Sequence, residues 1–148
     1  LRSCSAIRST TGMFAVIVGA GGAGAYLAIR LSSGGHKVTV IDIDEDALKE
    51  LNEKAPTAST ILGDASRIEV LRKAGLEKAE TLAVLTGADD RNLSIAMLAK
   101  NEFHVPKVIA RINDPKHERL FDRHAGADYG FSPDSLLVEA IIQAIQSA

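Results

Sequence analysis

Short runs of aliphatic and β-branched residues alternate along this chain with longer segments whose apolar positions recur every three or four residues. The runs predict strands at Phe14 to Val18, Lys37 to Asp42, Thr60 to Gly63, Thr81 to Leu85, Lys107 to Arg111 and Tyr129 to Phe131. Between them the spacing predicts helices. The first leaves the glycine-rich turn after Val18 and stops at Gly34-Gly35. The second is capped by Asp44, with Ala47, Leu48 and Leu51 on one face and the pairs Glu45/Lys49 and Glu50/Lys54 on the wet side. A third opens at the capping box Ser66-Arg67-Ile68-Glu69 and stops near Gly75. A fourth runs from about Asp90 to Phe103, and a fifth from the cap-and-proline pair Asp114-Pro115 to Gly126. The last opens at Ser132-Pro133. Strands alternating with helices in this way build an α/β fold with a doubly wound, mostly parallel six-stranded sheet and helices on both faces.

Composition fits that layout. The chain has 148 residues, one domain's worth, of which 46% are hydrophobic but only 4% aromatic, with no Trp. The core is therefore aliphatic, as strands buried on both faces require. A net charge of −2 with mixed signs gives no basic stripe for nucleic acid. No apolar run approaches the ~18 residues of a membrane span, so direct membrane insertion is not expected. The single cysteine, Cys4, cannot form a disulfide within the chain, which fits a reducing compartment. Residues 1–12 carry Ser, Thr and Arg without periodicity and read as a flexible tail, linker end or expression scar. The domain then occupies residues 13–148, with Met13 directly before the first strand.

Candidate chemistry begins at the turn. Gly19-Ala20-Gly21-Gly22-Ala23-Gly24 contains G-x-G-x-x-G between a predicted strand and a predicted helix, the context that gives the motif meaning. Gly19 permits the tight turn, Gly21 lets backbone approach a pyrophosphate, and Gly24 lets helix and strand pack closely. An anion then sits on the helix N-terminus. Asp42 ends the second strand 18 residues beyond Gly24, where a carboxylate accepts ribose hydroxyls and repels a 2′-phosphate. With Asp44 as the cap, Asp42 is left for the ribose. The pattern is Rossmann-like and expects NAD or an adenosine phosphate rather than NADP; the alternative is a purely structural glycine turn.

Ligands in this architecture lie beyond the carboxyl ends of the strands. Asp64-Ala65 follows the third strand, and Asp64 is either an adenine-side group or a plain turn acid. Thr86-Gly87 follows the fourth, where the distal half of a dinucleotide would pass. Asp89-Asp90 reads as capping and dipole compensation. Arg111 ends the fifth strand, within reach of a phosphate, a neighbouring subunit or solvent.

The motifs VIVGAGGAG, VTVIDID, ILGDAS, LAVLTGADDRN, VIARINDP and GADYGFSP occur in that order. Together they resemble the N-terminal lobe of the domain that regulates potassium conductance, the TrkA-N or KTN family, from Met13 to about Ile145. The resemblance implies a cytosolic, nucleotide-sensing subunit or domain of a potassium channel or transporter. Such a domain sits at the inner face of the membrane through a membrane-embedded partner and assembles as a homodimer or larger ring. It also implies NAD(H), ATP or ADP as ligand. Gly19, Ala20, Gly21, Gly22 and Ala23 match the phosphate loop. Asp42 matches the ribose acid, Asp64 and Ala65 the adenine side, Thr86-Gly87 the distal side, and Arg111 the Ala-Arg motif. Gly22 stands where some members carry Arg or Gln, which weakens a γ-phosphate grip and favours NAD(H). Arg91 stands where an acid is common. The family's smaller C-terminal lobe is absent from this chain.

Two further expectations follow. In the last helix, Leu136, Leu137, Val138, Ala140, Ile141, Ile142, Ala144 and Ile145 cover an arc of about 240° at ~100° per residue. One face on a sheet needs little more than ~100°, so the helix reads as an assembly element, or as an apolar end exposed by truncation. Catalysis is not expected. His36, His104, His117 and His124 read as surface residues away from the strand ends, and no zinc signature, nucleophile elbow or Walker lysine occurs. The competing class is the cofactor domain of an NAD-dependent oxidoreductase.

Overall fold

A computed structural model describes residues 12–122 and 126–147. His124 and the segment containing Cys4 lie outside the described residues. Six strands form one sheet: β1 (Phe14–Val18), β2 (Lys37–Asp42), β3 (Ser59–Leu62), β4 (Thr81–Val84), β5 (Lys107–Arg111) and β6 (Tyr129–Phe131). Their order is β3-β2-β1-β4-β5-β6 and every pairing is parallel. This is the Rossmann order, and it reverses direction between β1 and β4.

Five helices cover the sheet or extend from it: α1 (Gly22–Ser33), α2 (Glu45–Lys54), α3 (Ile68–Lys73), α4 (Asp89–Asn101) and α5 (Pro133–Gln146). Two apolar layers result, because successive residues of each strand point to opposite faces. Ala15 and Ile17 of β1 pack with Ala28 and Leu31 of α1 and Leu48 and Leu51 of α2. Val16 and Val18 pack with Leu71 of α3 and Ile95, Ala96 and Ala99 of α4. A side chain such as Ile17 or Ile95, with no surface left to water, contributes roughly 1.5–3 kcal/mol of burial.

The local signals of α2 are realised in full. Asp44 accepts from the N–H groups of Asp46 and Ala47, and Lys49–Glu45 and Lys54–Glu50 pair at 3.5 and 3.4 Å. Gly35 (φ +84°) follows α1 in the left-handed conformation a terminating glycine supplies.

Four expectations are corrected. The capping box does not form: α3 begins after Arg67, and Ser66 instead donates its N–H and hydroxyl to Asp64 Oδ1 at 2.9 and 2.7 Å. The short polar loop closes on itself before the helix starts. The segment after Asp114 is a 3-10 turn over Pro115–Leu120, not a helix reaching Gly126. Its Asp114 cap does form, onto Lys116 N–H, but no residue of the turn is buried, so nothing propagates it. His36 is buried, and its Nδ1 accepts the Met13 N–H at 3.0 Å, tying the start of β1 to the turn before β2. Finally, α5 packs no face on the sheet. Ser132 caps it, but none of its residues is buried, and Leu137 and Ile145 are 60% and 75% exposed.

Candidate functional site

The carboxyl ends of β1, β2 and β4 open into a cavity of about 580 Å³ at the point where strand order reverses. Its first wall is the glycine turn. Gly19 has φ +106° and donates its N–H to Ile41 O at 2.9 Å, so the chain leaves β1 in a conformation side-chain-bearing residues avoid. A Cβ on Gly24 would stand 1.7 Å from Gly19 O, so glycine there sets how closely α1 approaches β1. Gly21 is the N-cap of α1 and faces open space. No side chain caps α1 and no acid stands in its first turn. Its leading N–H groups therefore remain available to an anion.

Asp42 forms the second wall, half-buried at the end of β2. It is not simply left over for a ligand: Oδ2 accepts Ala20 N–H at 2.6 Å and Oδ1 accepts Asp44 N–H at 2.8 Å. The carboxylate is thus locked as an acceptor and braces the glycine turn. Each oxygen keeps a lone pair for a further donor.

The third wall is the loop after β4, held by a residue that pattern reading missed. Asn92, wholly buried on α4, accepts Thr86 N–H at 3.1 Å and also the Thr86 hydroxyl. Its amide donates to Thr86 O at 3.0 Å and Arg111 O at 2.9 Å. Thr86 and Gly87 reach the cavity on this scaffold. A polar residue at a core-facing helical position was the available signal.

Asp89 does more than compensate a dipole. Its Oδ1 accepts Asn113 N–H at 2.6 Å, and its Oδ2 accepts Asp114 N–H at 2.9 Å and contacts His117 Nδ1 at 2.7 Å. Burial pushes its pKa up, but these hydrogen bonds outweigh burial and hold it at about 2. His117 is therefore a structural partner of Asp89 and not a free surface residue. The helix cap itself is Ala88, without a side-chain bond.

Of the residues singled out in the sequence, Gly19, Gly21, Asp42, Ala65, Thr86 and Gly87 share the cavity lining. Ala20 is buried behind it, Gly24 is pressed on Gly19, and Gly22 and Ala23 lie exposed in the first turn of α1. Asp64 sits in the turn beyond β3, outside the lining. The Ser66 hydroxyl and N–H hold its carboxyl below the usual range, helped by the charges of Arg91 and Arg67. Arg111 is also outside the lining, and its buried Nε has no hydrogen-bond partner among the described residues. Ile43, Asp90 and Arg91 line the cavity without having been marked as candidates. Among the described residues no cluster of His, Cys, Asp and Glu is arranged to hold a metal ion, and no helix is long and apolar enough to cross a membrane.

The sequence model of the TrkA-N domain matches residues 15–133. The chain belongs to the TrkA-N family. It is 35% identical over 133 residues to the Trk system potassium uptake protein TrkA of Mycobacterium tuberculosis, covering 90% of this chain but only 60% of that protein. The TrkA-N domain of the inner membrane protein ybaL from Escherichia coli superposes with a TM-score of 0.82 at 20% identity, covering 93% of this chain and all of that one. The GsuK channel, solved bound to NAD, superposes at 0.69 with 22% identity over 86% of this chain and 22% of the channel chain; it has also been solved bound to ADP. These likenesses to solved structures establish the shared fold. What this TrkA-N domain binds is argued from its own cavity.

Proposed function

We propose that this TrkA-N domain is a nucleotide-sensing regulatory element of a potassium transport system. In this reading it binds NAD(H) or an adenine nucleotide without transforming it. The observation that carries the proposal is the single cavity joining the uncapped α1 N-terminus, the braced Asp42 carboxylate and the Thr86-Gly87 loop. A pyrophosphate fits the first, ribose hydroxyls the second, and the distal part of a dinucleotide the third. Asp42 presents only acceptor atoms, which disfavours the 2′-phosphate of NADP. The described lining carries no His, Cys, Lys or Tyr, both Asp42 oxygens already accept backbone N–H groups, and the Thr86 hydroxyl is bonded to Asn92, an arrangement that favours binding over acid–base or nucleophilic chemistry.

Regulation requires two shapes with different affinity for ligand. The exposed apolar residues of α5 are the proposed means of assembly into a homodimer or ring. Nucleotide state would bias that assembly, and through it a membrane-embedded channel or transporter partner at the cytoplasmic side.

The test is calorimetric titration with NAD+, NADH, ADP, ATP and NADPH, beside sizing chromatography with and without ligand. The proposal expects binding of NAD(H) or an adenine nucleotide, weaker binding of NADPH, and a ligand-dependent change in assembly. Failure of every nucleotide to bind would reduce the glycine turn to a structural device. Turnover of NADH with a small substrate would favour the oxidoreductase class.

A further inference from the structure

Arg91 breaks a local rule. It stands in the first turn of α4, where the helix dipole opposes a cation. Helix stability therefore gives no reason for an arginine at this position. The residue is half-buried, lines the cavity, and is the only Lys or Arg among the described lining residues.

Its position within the cavity is informative. α4 packs on the same sheet face as α3, and Arg91 lines one cavity with Gly63 and Ala65 of the loop that leads from β3 into α3, which sets the arginine across from the β3 end; its charge also helps to lower the Asp64 pKa. β3 pairs with β2 so that Leu62 lies opposite Asp42, which places Ile43 beside Gly63 at the sheet end. Ile43 lines the same cavity and is 63% exposed, an aliphatic surface left uncovered. Gly63 and Ala65 add no bulk there. This end of the cavity therefore combines a bare aliphatic wall, a low floor and a planar cation. A flat heteroaromatic ring suits that set: it covers Ile43 and offers a π-face to the guanidinium.

We infer that Arg91 is a specificity-determining residue that stacks its guanidinium on the purine base of the bound nucleotide, with Ile43 lining the base slot. The inference rests on the nucleotide-binding reading above and assigns one residue's role within it. Phosphate recognition stays with the α1 N-terminus at Gly21.

The experiment is calorimetry of the wild-type chain, R91A and R91K with AMP, ADP, ATP and NAD+. Stacking on the shared base predicts that R91A weakens all four by a similar factor, roughly three- to thirty-fold. R91K restores little, because an ammonium has the charge without the plane. The unliganded melting temperature of R91A should match or slightly exceed that of the wild type, since an unfavourable dipole contact is removed. A loss that grows from AMP to ATP and is restored by R91K would overturn the inference, assigning Arg91 to the phosphates. Unchanged affinities in R91A would also overturn it while leaving the nucleotide reading intact. A wild-type chain that binds none of the four would defeat both.

Discussion

Asn92→Ala is the most demanding test of how the cavity is built. The side chain is wholly buried and its amide satisfies groups on the loop after β4 and at the end of β5. Truncation leaves Thr86 O with its second donor, Asn113 Nδ2 at 3.0 Å. It removes the side-chain partner of Thr86 N–H and the Asn92 bond to Arg111 O. An unsatisfied buried polar group costs about 1–3 kcal/mol, so the two together cost about 2–6 kcal/mol, or less where water reaches them. Against a typical total of ~5–15 kcal/mol this is a large fraction. With a urea slope near ~2 kcal/mol per M, the unfolding midpoint should fall by about 1–3 M, followed by circular dichroism. Asn92→Asp should be no milder. It keeps acceptors towards Thr86 N–H but turns an oxygen, instead of an amide donor, on the Thr86 and Arg111 carbonyls. A midpoint within about 0.3 M of wild type in both variants would refute the view that Asn92 holds the β4 loop.

Other consequences follow from the same geometry. Gly24→Ala forces a Cβ to 1.7 Å from Gly19 O and should cost at least ~1–3 kcal/mol in a thermal melt, whereas Gly21→Ala meets no atom within 4 Å and should fold normally. Because Gly21 lines the cavity, Gly21→Ala should nonetheless weaken nucleotide binding in the calorimeter; normal binding would argue against a phosphate at this turn. Asp89 has a folded pKa of about 2 against an ordinary 3.8, so its contribution to stability is full above about pH 4 and is lost as pH falls towards 2. The difference in urea midpoint between wild type and Asp89→Asn should accordingly shrink on acidification from pH 5 to pH 2. A constant difference would mean that the ionised carboxylate contributes nothing. Leu137→Glu with Ile141→Glu, both about half exposed or more, should shift monomer stability by no more than ~0.5 kcal/mol yet weaken self-association in sedimentation. A large drop in monomer melting temperature would place α5 in its own subunit's core.

Much of this molecule is decided by local chemistry. Strand limits at Phe14–Val18, Lys37–Asp42 and Lys107–Arg111 follow from aliphatic runs ended by turn residues. The Asp44 and Ser132 caps, and the glycine turn with its acid, depend on neighbours within a few residues or on one motif. A doubly wound sheet then follows from the alternation of elements, because parallel strands need crossover helices on both faces. Tertiary structure decided what local pattern could not. Ser66 had two partners within reach, the α3 backbone and Asp64, and the choice of Asp64 depended on how the chain leaves β3. Asp89 looked like a capping residue because its partners Asn113, Asp114 and His117 lie more than twenty residues away, and only the adjacency of β4 and β5 brings them to it. Asn92 and Arg91 are neighbours in sequence with opposite fates, one in the core and one on the cavity wall, because successive residues of a helix point about 100° apart. Whether the apolar stripe of α5 is covered depends on a surface outside this chain's own sheet; within it, the helix is exposed along its length.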